Sequence, residues 1–251
     1  MSRAAGAILR GTPRARLCYA RCVLALATSC WFGFLIGLRH ALDPDHLAAM
    51  STLAVERPAR RKAAALGAWW GVGHSASLLG AGALLLLCRV RLPEGAAQLL
   101  ELAVAVMLIA LGARSIRRAL QARGGAAVEH AHGAVIHAHH GSADHFHVRS
   151  LTVARRPLLV GLVHGLAGTG AITALALASM PTVATALAYI AMFALGSIGG
   201  MALLTGAAGI PLARLARHPA AHTAMMACVG ALSLVVGVVW GAPIVGRLLP
   251  S

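Results

Sequence analysis

The chain has 251 residues, 59% of them hydrophobic and only 12% charged, with 22 Lys+Arg against 7 Asp+Glu for a formal net charge of +15. So few carboxylates among so much Ala, Leu, Val and Gly cannot dress a water-exposed surface, which excludes an ordinary soluble domain. Nucleic acid is excluded as a partner too, because the basic residues are nearly all Arg, lie in short clusters between long apolar runs and lack interleaved aromatics. They look like the loops of a multi-span membrane protein.

Residues 1–21 carry Arg3, Arg10, Arg14, Arg16 and Arg21 and are expected to be an uncleaved basic tail, since no A-x-A site follows. Cys18, Cys22, Cys30, Cys88 and Cys228 are scattered, and no second pair matches Cys18 and Cys22, so neither a zinc site nor a disulfide framework is expected. Six apolar runs follow, at 22–42, 63–88, 95–113, 157–180, 182–210 and 222–245. Each is close to the roughly 20 residues that a bilayer-crossing helix needs. The first continues past His40 and Asp45 to Val55, too long for one straight span, so a break is expected at Pro44.

The expected fold is an all-α integral membrane protein of six transmembrane helices. Residues 22–115 and 156–246 form two three-span halves joined by a hydrophilic loop, 116–155, with 247–251 as a short tail. The segment GLRHALDPDHLAAMSTLA from Gly37 aligns on GLVHGLAGTGAITALALA from Gly161, matching Gly37 to Gly161, Leu38 to Leu162 and His40 to His164. Three spans per half would make these inverted repeats, with the site at their interface. Loop charge favours an outside N-terminus. The inner loops would then hold Arg57, Arg60, Arg61, Lys62, the arginines from Arg114 to Arg156, Arg214 and Arg217.

Histidine marks the chemistry. Seven of the thirteen histidines (His130, His132, His137, His139, His140, His145 and His147) fall in the middle loop. Neutral imidazole is the commonest metal ligand, and a flexible loop carrying so many would buffer or sense metal rather than select it. Its bland alternative is a solvated linker of biased composition. Four more histidines lie in apolar spans, and the sharpest group is His40-Ala-Leu-Asp43-Pro44-Asp45-His46. An ionisable group inside a span costs about 2.5–3.5 kcal/mol on insertion scales, so four in seven residues are not there for packing. Helical spacing puts His40 with Asp43 and Asp43 with His46 on one face. A break at Pro44 would let Asp45 turn inward as well. Imidazole and carboxylate without thiolate suit a divalent first-row metal. A proton relay or a structural His–Asp network is the alternative. His74, in Gly71-Val-Gly73-His74-Ser75, and His164, between glycines, are each a further ligand or a buried histidine with a hydrogen bond, and Ser75 could orient the His74 ring. Glu101 is the one acid in the third span and either reaches the interface or serves the site.

Arg39-His40-Ala-Leu-Asp43-Pro44-Asp45-His46 resembles the H-x4-D-H signature of the nickel/cobalt transporter family, with Pro44 where alanine is usual and Leu47 where isoleucine is. Gly73-His74-Ser75 resembles that family's next motif. The second half lacks the acidic motif of the eight-span importers. Its Val163-His164-Gly165 segment looks more like the six-span urease-accessory membrane proteins and nickel/cobalt efflux permeases. The resemblance implies metal handling by His40, Asp43, Asp45, His46 and His74. It also implies a secondary permease of the bacterial inner membrane with Ni²⁺ and secondarily Co²⁺ as substrate rather than prosthetic group, and the loop-charge count places the His-rich loop on the cytoplasmic side. No Walker-type sequence is present, so no nucleotide hydrolysis is expected. Metal, lipid and nickel-enzyme maturation proteins are the expected partners. Efflux by proton exchange, membrane-anchored delivery to urease or hydrogenase, and a membrane metalloenzyme are the other readings.

Overall fold

The structure, a computed structural model, is described for residues 13–56, 60–123, 131–132, 135–136, 145–148, 151–180 and 182–248. Among these the chain forms α1 (Pro13–His40), α2 (Pro44–Glu56), α3 (Arg60–Cys88), α4 (Glu94–Arg123), α5 (Arg155–Ser179), α6 (Val183–Leu215) and α7 (Pro219–Leu248). Five helices are long and apolar enough to cross a membrane: Tyr19–His40, Ala63–Cys88, Glu94–Ala122, Val183–Leu215 and Pro219–Leu248. α5 has 25 residues, but the side chains of 169–179 lie outside the description. The surface is inverted relative to a soluble protein. Phe32, Leu84, Leu87, Leu203 and Val239 are each more than 60% exposed, whereas His46, His74, Ser197 and Ser233 are buried. Apolar exposure on this scale suits lipid, not water.

The expected interruption in the first run is present, slightly earlier than Pro44. α1 stops at His40, Ala41 to Asp43 form a turn, and Pro44 is the first residue of α2. Proline pushes the preceding residue out of the α region and is itself well suited to a first helical position, where its missing N–H costs nothing. The Leu42 and Asp43 amides donate to the Arg39 and His40 carbonyls, and Leu47 N–H donates to Asp43. These bonds carry the backbone through a turn in which Ala41 is buried and Leu42 and Pro44 are exposed.

Two boundaries differ from expectation. α1 begins at Pro13, inside the predicted tail, and α4 continues to Arg123, inside the predicted loop. Arg, Ala, Leu and Gln are good helix formers, so a helix extends past its apolar stretch without a hydropathy signal. The middle segment carries two small antiparallel hairpins, β1 (Ala131–His132) with β2 (Val135–Ile136) and β3 (His145–Val148) with β4 (Leu151–Ala154). His132, His145 and His147 belong to these strands, whereas His130, His137, His139 and His140 lie outside the described residues.

α3 and α6 pack against each other, α1 lies on α6, α5 lies on α3, and α4 pairs with α7, while α2 leans mainly on α7. These contacts come in reciprocal pairs. A Cβ on Gly37 of α1 would collide with the Phe193 carbonyl of α6, and one on Gly161 of α5 with the Trp70 carbonyl of α3. Ser115 Oγ donates to the Met226 carbonyl (2.8 Å) and Ser233 Oγ to the Leu108 carbonyl (2.8 Å) across α4 and α7. Between them Gly112 and Gly230 each face the other's backbone. Small residues and hydroxyls of this kind replace the hydrophobic effect as the glue between helices in lipid.

Candidate metal centre

The α1–α2 turn brings His40, Asp43, Asp45 and His46 against α3 and α5. His40 Nδ1 bonds Asp43 Oδ2 at 2.6 Å, His46 Nδ1 bonds Asp45 Oδ1 at 3.1 Å, and His164 Nε2 bonds Asp45 Oδ2 at 2.7 Å. Asp45 thus ties the first half of the chain to α5 through a residue 119 positions away. His74 completes the group, its ring centroid 5.3 Å from His40, 5.2 Å from His46 and 5.8 Å from His164. The His46 ring lies 4.3 Å from that of His40 and 4.2 Å from that of His164.

Two sets of donors stand within 4.8 Å of one another: His40, His46 and His74, and Asp45, His46 and His164. In the first set every imidazole keeps a buried nitrogen with no hydrogen-bond partner, namely His40 Nε2, His46 Nε2 and both nitrogens of His74. Unsatisfied buried nitrogens on three converging rings are costly unless something else binds them, and a cation is what they are chemically fitted to bind. The carboxylates hold the other edge of two of these rings, as outer carboxylates hold metal-ligating histidines.

Of the six expected ligand residues, five converge. Asp43 belongs to neither set; its side chain is 48% exposed and holds His40. The expected Asp43–His46 pairing is replaced by Asp45–His46, because the turn breaks the helical spacing. Ser75 does not orient His74. Its hydroxyl donates to the Ala194 carbonyl of α6, 3.1 Å away. Glu101 is half-buried and shares a cleft of about 500 Å³ with Pro44, Trp240 and Arg247. It joins neither donor set.

Sequence reasoning missed the aromatic walls. Trp70 is fully buried with its ring 5.2 Å from His46 and 5.6 Å from His164, and Phe193 lies 5.2 Å from His40. Trp70 is one helical turn before His74, a same-face spacing that was there to be read. His222, which had no assigned place, contacts the Val55 carbonyl near the end of α2 through Nε2 at 3.0 Å.

The chain is 29% identical over 208 residues to the urease accessory protein UreH of Bacillus sp. (strain TB-90), covering 82% of this chain and 87% of that one. It is 31% identical over 180 residues to the chloroplast protein FOR GROWTH AND FERTILITY 2 of Arabidopsis thaliana, 71% of this chain but only 46% of that longer protein. A 94-residue stretch is 42% identical to FOR GROWTH AND FERTILITY 1 of the same plant, 37% of this chain and 26% of that one. No solved structure matches. The NicO family profile, described as high-affinity nickel-transport protein, matches residues 26–246, and the chain belongs to that family.

Proposed function

We propose that this protein is a secondary transporter that carries Ni²⁺, and Co²⁺ as a second substrate, across a bacterial inner membrane. His40, Asp45, His46, His74 and His164 handle the ion within the bilayer, and Asp43 orients His40. The observation that carries this reading is the convergence of three buried imidazoles, the half-buried His40 ring and a carboxylate, several nitrogens unpartnered, within a bundle of long apolar helices. Rigid helices hold the donors, so discrimination between ions is a property of this centre and not of the loop.

The reading includes six spans arranged as two inverted repeats, α1 to α4 and α5 to α7, with α2 as an insertion in the first. Exchanging α1 with α5, α3 with α6 and α4 with α7 maps the main helix pairs onto themselves. The same exchange relates Gly37 and Phe193 to Gly161 and Trp70, and Ser115 to Ser233. His40 beside Phe193 then corresponds to His164 beside Trp70. The centre sits where the repeats meet, as alternating access requires.

Two positive charges moving inward gain roughly 4.6 kcal/mol per 100 mV, so uptake runs on membrane potential alone, and export needs a counter-flow such as protons. Direction-resolved ⁶³Ni²⁺ flux in vesicles holding the purified protein tests both. Flux down the electrical gradient that disappears in His46→Ala is expected, and no flux in either direction would sink the transport reading. A second reading, delivery of nickel to enzyme maturation, draws on the urease accessory name of one relative. It predicts nickel bound without flux, and release to a maturation protein.

A further inference from the structure

The two donor sets share His46, and they differ in chemistry and in where they lie. The first, His40, His46 and His74, is all imidazole and comes wholly from α1 to α3, and its rim is the partly exposed His40–Asp43 pair. The second, Asp45, His46 and His164, includes a carboxylate and spans both halves of the chain, with all three residues buried. Their present states differ as well. The second set is joined within itself by the Asp45 hydrogen bonds to His46 and His164, with His46 Nε2 and His164 Nδ1 left unpartnered, whereas no hydrogen bond joins the three rings of the first, whose His40 Nε2, His46 Nε2 and two His74 nitrogens are unpartnered.

Resting on the transport reading above, we propose that the centre is two mutually exclusive metal stations that share His46, occupied in turn as the ion crosses. An ion needs donors at roughly 2.1 Å, and a neutral imidazole has one lone pair and so serves one ion at a time. At the outer station the ion takes the unpartnered nitrogens of His40, His46 and His74. At the inner station it takes Asp45, His46 and His164, and coordination replaces the two hydrogen bonds that now join them. Only the inner station has a ligand on α5, so only it changes when the halves move relative to one another. His46 acts as the swivel that passes the ion from a receiving site to a site coupled to that movement.

The test uses purified full-length protein with the seven middle-segment histidines replaced by alanine, so that chelation there adds no ion to the count, in detergent with Co²⁺ alone as probe, because the visible bands of Co²⁺ report its donors. This protein, wild type at the centre, is expected to bind one Co²⁺. His40→Ala and His164→Ala should each still bind one, within about tenfold of wild type but with different spectra: carboxylate-containing in the first variant, all-imidazole in the second. The double variant, and His46→Gln alone, should lose more than about a hundredfold. Both single variants should bind yet fail to move ⁶³Ni²⁺ in vesicles. Two Co²⁺ bound to that protein would overturn the proposal, as would undiminished Co²⁺ binding by His46→Gln, or His40→Ala and His164→Ala each abolishing binding as fully as His46→Gln while eluting as a single monodisperse species. Absence of ⁶³Ni²⁺ flux by the wild-type protein in vesicles is a different failure, since it would remove the transport reading itself.

Discussion

Asp43 and Asp45 are two residues apart yet do different work. Asp45 is 11% exposed at its side chain and accepts from two rings; Asp43 is 48% exposed and bonds one. A buried carboxylate without partners is costly, so Asp45 depends on both histidines as much as they depend on it. Asp43→Asn should therefore lower metal affinity by about 10–100-fold, the usual effect of losing an orienting carboxylate, without abolishing flux. His40→Ala, Asp45→Ala and His46→Ala should each abolish ⁶³Ni²⁺ flux while the protein still inserts at normal levels. Wild-type transport from two of those three, at equal expression, would remove the metal centre from the mechanism.

Between helices, close backbone approach is the organising contact, and it is distributed evenly over the two halves. Gly37→Leu and Gly161→Leu should impair folding to similar extents, measured as loss of monodisperse protein, because each drives a side chain into a neighbouring backbone. Gly80→Ala is the control. Nothing lies within 4 Å of its Cβ position, and it should gain about 0.5–1 kcal/mol in helix stability. At this scale much was legible in the sequence. Apolar runs mark spans because lipid leaves the backbone no other choice, and Pro44 marks the break because its effect is local. The ends of α1 and α4 were not legible, since polar helical turns lack a hydropathy signature. Nor was the division between Asp43 and Asp45, which depends on His164 approaching from a distant helix. His164 itself was visible as a histidine in an apolar span aligned with His40, but not as the partner of Asp45.

For the whole molecule, the division of labour lies between a rigid centre and the middle segment. On the reading of that segment as a metal-buffering loop, its seven imidazoles would lose ordering entropy on chelating, whereas the membrane centre is held by packed helices. Deleting residues 129–147 should leave the Ni²⁺/Co²⁺/Zn²⁺ preference intact and change only apparent affinity or regulation. A changed preference with the His40 group whole would move recognition into the loop. The charge distribution predicts that this segment and residues 57–62 share the cytoplasmic face. Cysteine labelling from the periplasmic side should therefore miss both, and a labelled loop would reverse the orientation.

The indole of Trp70, buried against His46 and His164, also makes the centre optically self-reporting. The other tryptophans are Trp31 and Trp240, exposed on the lipid face, and Trp69, half-buried. Replacing those three by Phe leaves one tryptophan, beside His46 and His164. Ni²⁺ and Co²⁺ quench indole emission at short range, so the fluorescence of that variant should fall on metal addition and recover with a chelator. The quenching should vanish in His46→Gln. Followed by stopped flow in vesicles, the same signal would time the arrival and departure of single ions' worth of charge at the centre, with no label attached to the protein.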